Sequence, residues 1–455
     1  MSEPADGDFL MRDRTDASTR PPDAARDTPG RRPAPPSPQP PPPPPDAPEA
    51  AAAGGGVAGP AVAGGAVAGP AASGGPGVAG GGVAGPGVAG GAVPGSGTPP
   101  PELRLPGAPP PEVPLPGAPR PLGEHRRWPR SFADRLTAPL PGVRAFARLA
   151  REGAFRPGPD GLRGIPDLPY EPGPLPAAAP GCVGVTWAGH ASWVLRTGGL
   201  TVLTDPVWSR RILGTPARLT PVGVRWEDLP PVDAVVISHN HYDHLDAPTL
   251  KRLPRHTALF VPAGLARWFR RRGFTRVTEL DWWESAELHG VRFEFVPAHH
   301  WSKRSLIDTC RSLWGGWILT DTLSPEPKTL YFAGDTGYGR WFGEIGRRHP
   351  GIDLALLPIG AYAPRWWLGD VHTDPEEAVR ACLDLGARRM APMHWATFVL
   401  SAEPVMEPLH RVRSAWSRAG LARTRLWDLP IGASRTLGDD PAAAGATTPP
   451  GADTA

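Results

Sequence analysis

From Val183 onward, apolar residues fall into short runs, and the period of each run points to one kind of element. Compact β-branched and aliphatic runs predict strands at 183–187, 192–196, 200–204, 234–238, 258–261, 291–297, 316–320, 329–333, 354–358 and 390–393. Apolar positions three or four apart predict helices at about 247–253, 264–272, 340–348, 375–385 and 404–418. The helix at 375 has the clearest start, because Asp374 caps it, Pro375 takes its first turn and Glu377 completes a capping box. Early hairpins followed by strands alternating with helices predict one α/β domain over 183–437, with two sheets and helices outside them.

A different pattern precedes that domain, in a Pro-rich lead-in at 121–182. Phe132, Leu136, Leu140, Val143, Phe146 and Leu149 recur every three or four positions among Arg127, Arg130, Arg135, Arg144, Arg148 and Arg151. This basic amphipathic stripe, broken by Pro139 and Pro141, reads first as a helix covering the edge of the next domain. Its second reading is contact with an anionic membrane surface. Before it the patterning stops: a Pro run at 40–45 gives way to repeats resembling Gly-Gly-x-Val-Ala-Gly-Pro across 54–94, in a chain with 64 Pro and 56 Gly. Without large apolar side chains to bury, such a segment cannot offset the entropy of ordering its backbone. Disorder is therefore expected for 1–120, and again for the Ala-, Gly-, Pro- and Thr-rich 438–455.

Met1 to Arg20 is polar, and no stretch offers eighteen uninterrupted apolar residues, so neither export nor a membrane span is expected. Cys182, Cys310 and Cys382 stand singly, which suits packing residues in a reducing compartment. A cytoplasmic protein is expected, with peripheral contact at the inner membrane surface as an option. The net charge of +3 gives no footprint for a nucleic-acid partner, and oligomeric state has no signature in the sequence.

Candidate chemistry begins where the strand at 234–238 ends, in Ser238-His239-Asn240-His241-Tyr242-Asp243-His244-Leu245-Asp246. Imidazoles and carboxylates are costly to desolvate unless compensated, and a bound cation is the commonest compensation. The spacing H-x-H-x-D-H supplies two sets of ligands, one for each of two neighbouring metals. Later strand ends add His299-His300-Trp301, Gly334-Asp335-Thr336-Gly337 and Met393-His394-Trp395, at positions where layered α/β folds gather a site. Taken singly, each is equally a solvated loop histidine, a turn aspartate or a histidine packed on Trp.

Together with Thr186-Trp187-Ala188-Gly189-His190, Leu203-Thr204-Asp205-Pro206, Pro358-Ile359-Gly360-Ala361-Tyr362 and Asp374-Pro375-Glu376-Glu377-Ala378, these motifs make 183–432 resemble the metallo-β-lactamase superfamily. Within it, the chain resembles the phospholipases D that hydrolyse N-acylphosphatidylethanolamine, and their bacterial relatives. The resemblance implies an αββα metallo-β-lactamase-like sandwich. It implies that His239, His241 and His300 hold one metal, and Asp243, His244 and His394 the other, with Asp335 bridging both. His300 is preferred to its neighbour His299 because the match runs through Trp301. Zinc is implied, two ions per chain with a hydroxide between them, and iron or manganese suits the same donors. Asp243, Asp335 and His372 are the implied catalytic residues, Tyr242 and His372 the implied substrate contacts, and His190 and Asp205 the groups orienting the ligating imidazoles.

The implied reaction is hydrolysis of N-acylphosphatidylethanolamine, or a related glycerophospholipid, to phosphatidic acid and an N-acylethanolamine. The alternatives are a soluble metallo-hydrolase of a small molecule such as a sugar-phosphate lactone, and a membrane-recruited scaffold with a vestigial site. Trp282, Trp283, Trp301, Trp314, Trp317, Trp366 and Trp367 are expected either at an apolar mouth for acyl chains or in the core. Arg304 and Arg365 are candidates for pairing with a phosphate.

Overall fold

The computed structural model describes residues 118–140, 142–176, 181–213 and 215–438. The expected tails therefore lie outside the described residues, apart from their inner ends. At the first of these, the Arg120 amide donates to the Ser285 carbonyl at 2.6 Å.

In chain order the elements are α1 (Val143–Arg151), β1 (Val183–Gly189), β2 (Ser192–Thr197), β3 (Leu200–Thr204), β4 (Ala234–Val236), α2 (Ala247–Lys251), β5 (Ala258–Pro262), α3 (Ala266–Arg270), β6 (Val277–Leu280) and β7 (Glu284–Leu288). They continue as β8 (Val291–Val296), β9 (Gly316–Asp321), β10 (Thr329–Phe332), α4 (Trp341–Arg348), β11 (Leu354–Pro358), α5 (Arg365–Leu368), α6 (Pro375–Asp384), β12 (Met390–Met393), α7 (Glu407–Arg418) and β13 (Ser434–Leu437). Every expected strand and helix of the domain forms. The capping box on α6 is present, with the Asp374 side chain accepting from the Glu377 amide.

The sequence pattern missed β6, β7, β13 and α5. β6 and β7 carry glutamates that break the apolar signal, and the tertiary structure satisfies both. Glu279 accepts from the Ala266 amide and Trp128 Nε1, and Glu284 pairs with Arg120 and Arg126. The N-terminal stripe also divides. Phe132 and Leu149 are buried as an edge cover requires, but Val143 and Phe146 are not.

The strands make two sheets, ordered β13-β1-β2-β3-β4-β5-β6 and β12-β11-β10-β9-β8-β7. They pack face to face: Phe260 on β5 stacks on Phe293 of β8 with ring centres 4.1 Å apart, and Trp317 Nε1 on β9 donates to the Ile237 carbonyl beyond β4. Helices α2 and α3 cover the outside of the first sheet with Leu250, Ala266 and Phe269, and α4, α6 and α7 pack with the second. This is the implied αββα sandwich. Truncating a fully buried ring such as Phe293 to Ala would cost about 3–5 kcal/mol.

Strand direction decides where the chemistry gathers. β3, β4 and β5 are mutually parallel, and β1 runs with β3 because each is antiparallel to β2. In the second sheet β10, β11 and β12 are parallel, and β8 runs with β10 because both are antiparallel to β9. The C-terminal ends of β1, β3 and β4 thus share one sheet edge, and those of β8, β10 and β12 share the other.

Candidate metal centre

Those strand ends deliver His190 after β1, Asp205 after β3, the 238–246 loop after β4, His300 after β8, Asp335 after β10 and His394 after β12. Their ligand atoms form clusters able to hold metal ions. His239, His241, His300 and Asp335 offer atoms all within 4.8 Å of one another, and so do His190, Asp243, His244 and His394. Nitrogen faces nitrogen inside them: His239 Nε2 is 2.8 Å from His241 Nδ1, His300 Nε2 is 3.2 Å from the same atom, and His244 Nε2 is 3.2 Å from His394 Nε2. Ligands about 2.0–2.1 Å from a tetrahedral ion stand about 3.3 Å apart, so this convergence is what a shared cation requires. Asp335 touches both clusters. Its Oδ2 lies 3.8 Å from His239 Nε2, 3.9 Å from His300 Nε2 and 3.1 Å from His244 Nε2. Its buried Oδ1 is 3.1 Å from His394 Nε2, yet out of hydrogen-bond geometry and without any other partner.

Three of the rings are held from behind at their outer nitrogens, which fixes the ring and leaves its inner nitrogen free to bind. His244 Nδ1 donates to Asp205 at 2.7 Å, and His300 Nδ1 to the Val371 carbonyl at 3.0 Å. His239 Nδ1 donates to Ser238 Oγ at 2.9 Å, and Ser238 in turn donates to Asp205 through both its amide and its hydroxyl. Ser238 and Val371 were missed as supports. A main-chain carbonyl has no signature in a sequence, and a serine preceding a histidine motif is too common to single out. His190, expected to orient an imidazole, instead donates to the Asp243 carboxylate at 3.0 Å, because the end of β1 points its ring at the acidic member of the loop. The backbone is strained here, with His190, Asp205 and His394 all in the left-handed region that side chains disfavour. Gly334 makes the close approach possible, since a Cβ there would sit 2.5 Å from that of Ser238.

A scan against known families matches the Beta-lactamase superfamily domain over residues 201–395. An uncharacterized protein of Mycobacterium tuberculosis is 42% identical over 261 residues, covering 53% of this chain and 68% of that relative. The chain belongs to the metallo-β-lactamase superfamily. Two further relatives give the match a chemical direction. An N-acyl-phosphatidylethanolamine-hydrolyzing phospholipase D of Caenorhabditis elegans is 37% identical over 246 residues, covering 50% of this chain and 68% of that protein. A metal-dependent hydrolase of Nitratidesulfovibrio vulgaris is 33% identical over 232 residues, covering 49% and 82%. As a member of this superfamily carrying such clusters, the protein is a metal-dependent hydrolase.

The electrostatics of the superfamily site match its donors to cations. Burial pushes His241 down to about 4 and His239 and His300 well below the ordinary imidazole value, so these rings are neutral and need lose no proton to bind. Burial opposes the charge on Asp335 too, but the imidazoles of His244, His394 and His372 outweigh it and hold the carboxyl well below its usual range. Reciprocally, and against burial, Asp335 and Asp243 raise His394 to about 9 and hold His244 well above the ordinary imidazole value. Two ring protons thus stand where positive charge is wanted.

His372 is brought to the same place. It offers an atom within 4.8 Å of those of Asp335 and His394, burial lowers it to about 4, and its buried Nδ1 has no hydrogen-bond partner. His299 is not brought in; it turns toward Gly339 and Trp341. Tyr242 spends its hydroxyl on the Arg304 carbonyl at 2.8 Å, under the Arg304 guanidinium. Arg365 is committed to Glu377 and the His372 carbonyl, while Arg304 spends its Nη1 on the Leu245 and Asn240 carbonyls. The tryptophans separate as well. Trp314 and Trp317 are core, Trp282 and Trp283 pack around Trp341, and Trp301 stands against His241 with ring centres 4.9 Å apart. Trp366 and Trp367 lie on α5.

Proposed function

We propose that this hydrolase is a phosphodiesterase that cleaves N-acylphosphatidylethanolamine, or a related glycerophospholipid, to phosphatidic acid and an N-acylethanolamine. The observation that supports it most is the double donor set meeting at Asp335, and the substrate name comes from the similarity to the nematode phospholipase D. In this reading His239, His241 and His300 hold one divalent cation, Asp243, His244 and His394 hold a second, and Asp335 serves both. The imidazole-rich donors favour zinc. Ions held there supply Lewis acidity and a water acidified toward neutral pH.

The chain's own residues do the rest. Asp205, Ser238 and the Val371 carbonyl keep the rings of His244, His239 and His300 in one orientation, which limits reorganisation when the phosphodiester arrives. His372, neutral and with an unpartnered Nδ1, can take up the proton released by the attacking water and pass it to the ethanolamine oxygen as that oxygen's bond to phosphorus breaks. Trp301 lends an apolar wall beside His241.

Turnover by metal-loaded protein tests this directly. N-acylphosphatidylethanolamine in mixed micelles, a soluble phosphodiester and a sugar-phosphate lactone are compared, with N-acylethanolamine measured by mass spectrometry. The lipid should give the highest kcat/KM. A lactone turned over faster than the lipid would replace this reading with the small-molecule one.

A further inference from the structure

Helix α1 does not behave like a helix that only covers an edge. Of its apolar residues Leu149 is buried, whereas Val143 is 85% exposed and Phe146 is 50% exposed, and Phe155 just beyond the helix is 53% exposed. Arg144, Arg148, Arg151 and Arg156 are exposed around them. Only Arg148 has a carboxylate partner among the described residues, Glu152 at 2.7 Å. Apolar side chains left in water beside unpaired arginines form the surface that an anionic bilayer complements, with the rings entering the acyl boundary and the guanidinium groups meeting phosphates.

The patch is tied to the metal centre through α5. Phe146 packs edge-on against Trp367 with ring centres 4.5 Å apart, Arg148 lies 3.9 Å over Trp366, and Trp366 Nε1 donates to Glu152. Trp366 itself is 38% exposed, and indole rings favour the bilayer interface. Three residues beyond α5, the Val371 carbonyl holds His300, and His372 follows. No helix among the described residues is long and apolar enough to cross a membrane.

We propose that α1 and α5 form a docking face for an anionic lipid bilayer, beside the mouth of the metal centre. The inference deepens the phospholipid reading and rests on it for its purpose, but not for its test. Full-length protein, with and without metal, is sedimented with phosphatidylcholine vesicles that contain or lack phosphatidylglycerol, no substrate lipid being present. Binding should require the anionic lipid and weaken as salt rises. The triple variant R144Q/R151Q/R156Q should bind roughly a hundredfold more weakly at low salt, and V143D/F155D should fall by at least about tenfold, with thermal melting and metal content unchanged in both. Equal binding to neutral vesicles, no binding, or two unaffected variants would each overturn the proposal. Asp335→Ala should bind vesicles like the native protein. Vesicle binding without lipid turnover would remove the proposed substrate and leave the docking face standing; lipid turnover in micelles without vesicle binding would do the reverse.

Discussion

The two halves of the metal centre use different electrostatics. His239, His241 and His300 are neutral imidazoles that offer lone pairs at no protonic cost, and His239 and His300 are fastened from behind by a hydroxyl and a main-chain carbonyl. Asp243, His244 and His394, with Asp335, form a charged half in which carboxylates keep protons on two imidazoles that a cation would displace. On the proposed two-ion reading, the neutral half would bind an ion on affinity alone, while the carboxylate-rich half would draw in a second against the repulsion of the first. Asp335 lies close to both.

Replacing Asp335 with Ala is therefore the severest way to break the comparison. Activity should fall by more than about a hundredfold, the range reached when a mere support of a ligand is lost, and metal content should drop in both halves. Retention of two equivalents after dialysis would separate Asp335 from the centre. His300→Ala should empty the neutral half and leave the charged half partly filled, while His299→Ala retains metal and turnover; atomic absorption on the two proteins distinguishes them, and the reverse pattern would move the ligand by one residue.

A finer contrast lies behind the ligands. Asp205→Asn disturbs both halves, His244 directly and His239 through Ser238, and should weaken metal retention by about 10–100-fold. Ser238→Ala should loosen only the His239 side by a smaller factor, as read by competition with a chelator. Equal effects would show that the serine does not separate the halves. Smallest of all, deletion of residues 1–117 should leave melting temperature and metal stoichiometry unchanged, because that segment has too few large apolar residues to contribute a core. An insoluble or metal-free product would place part of the fold upstream of residue 118.

The sequence alone was enough to predict the domain's expected strands and helices, the α6 capping box and the positions of the metal-ligand candidates. Apolar periodicity and ligand spacing are local properties, and they can be read wherever burial follows the chain. The choice of His300 over His299 came from the resemblance through Trp301, since strand alternation says only that one of the two can face the site. What escaped depended on partners distant in sequence. Glu279 and Glu284 hid β6 and β7 until Trp128, Arg120 and Arg126 arrived to satisfy them. Arg304 and Arg365 are abundant residue types whose commitments show only in three dimensions, and the seven tryptophans could be sorted into core, site wall and surface only once the two sheets were packed. Likewise, only the tertiary structure divided the N-terminal stripe, because Leu149 found a place in the domain and Val143 did not. Spacing determines which side chains can act together; the direction of β1, β3, β4, β8, β10 and β12 decides that they meet, since a common edge is a property of strand pairing and no single strand encodes it.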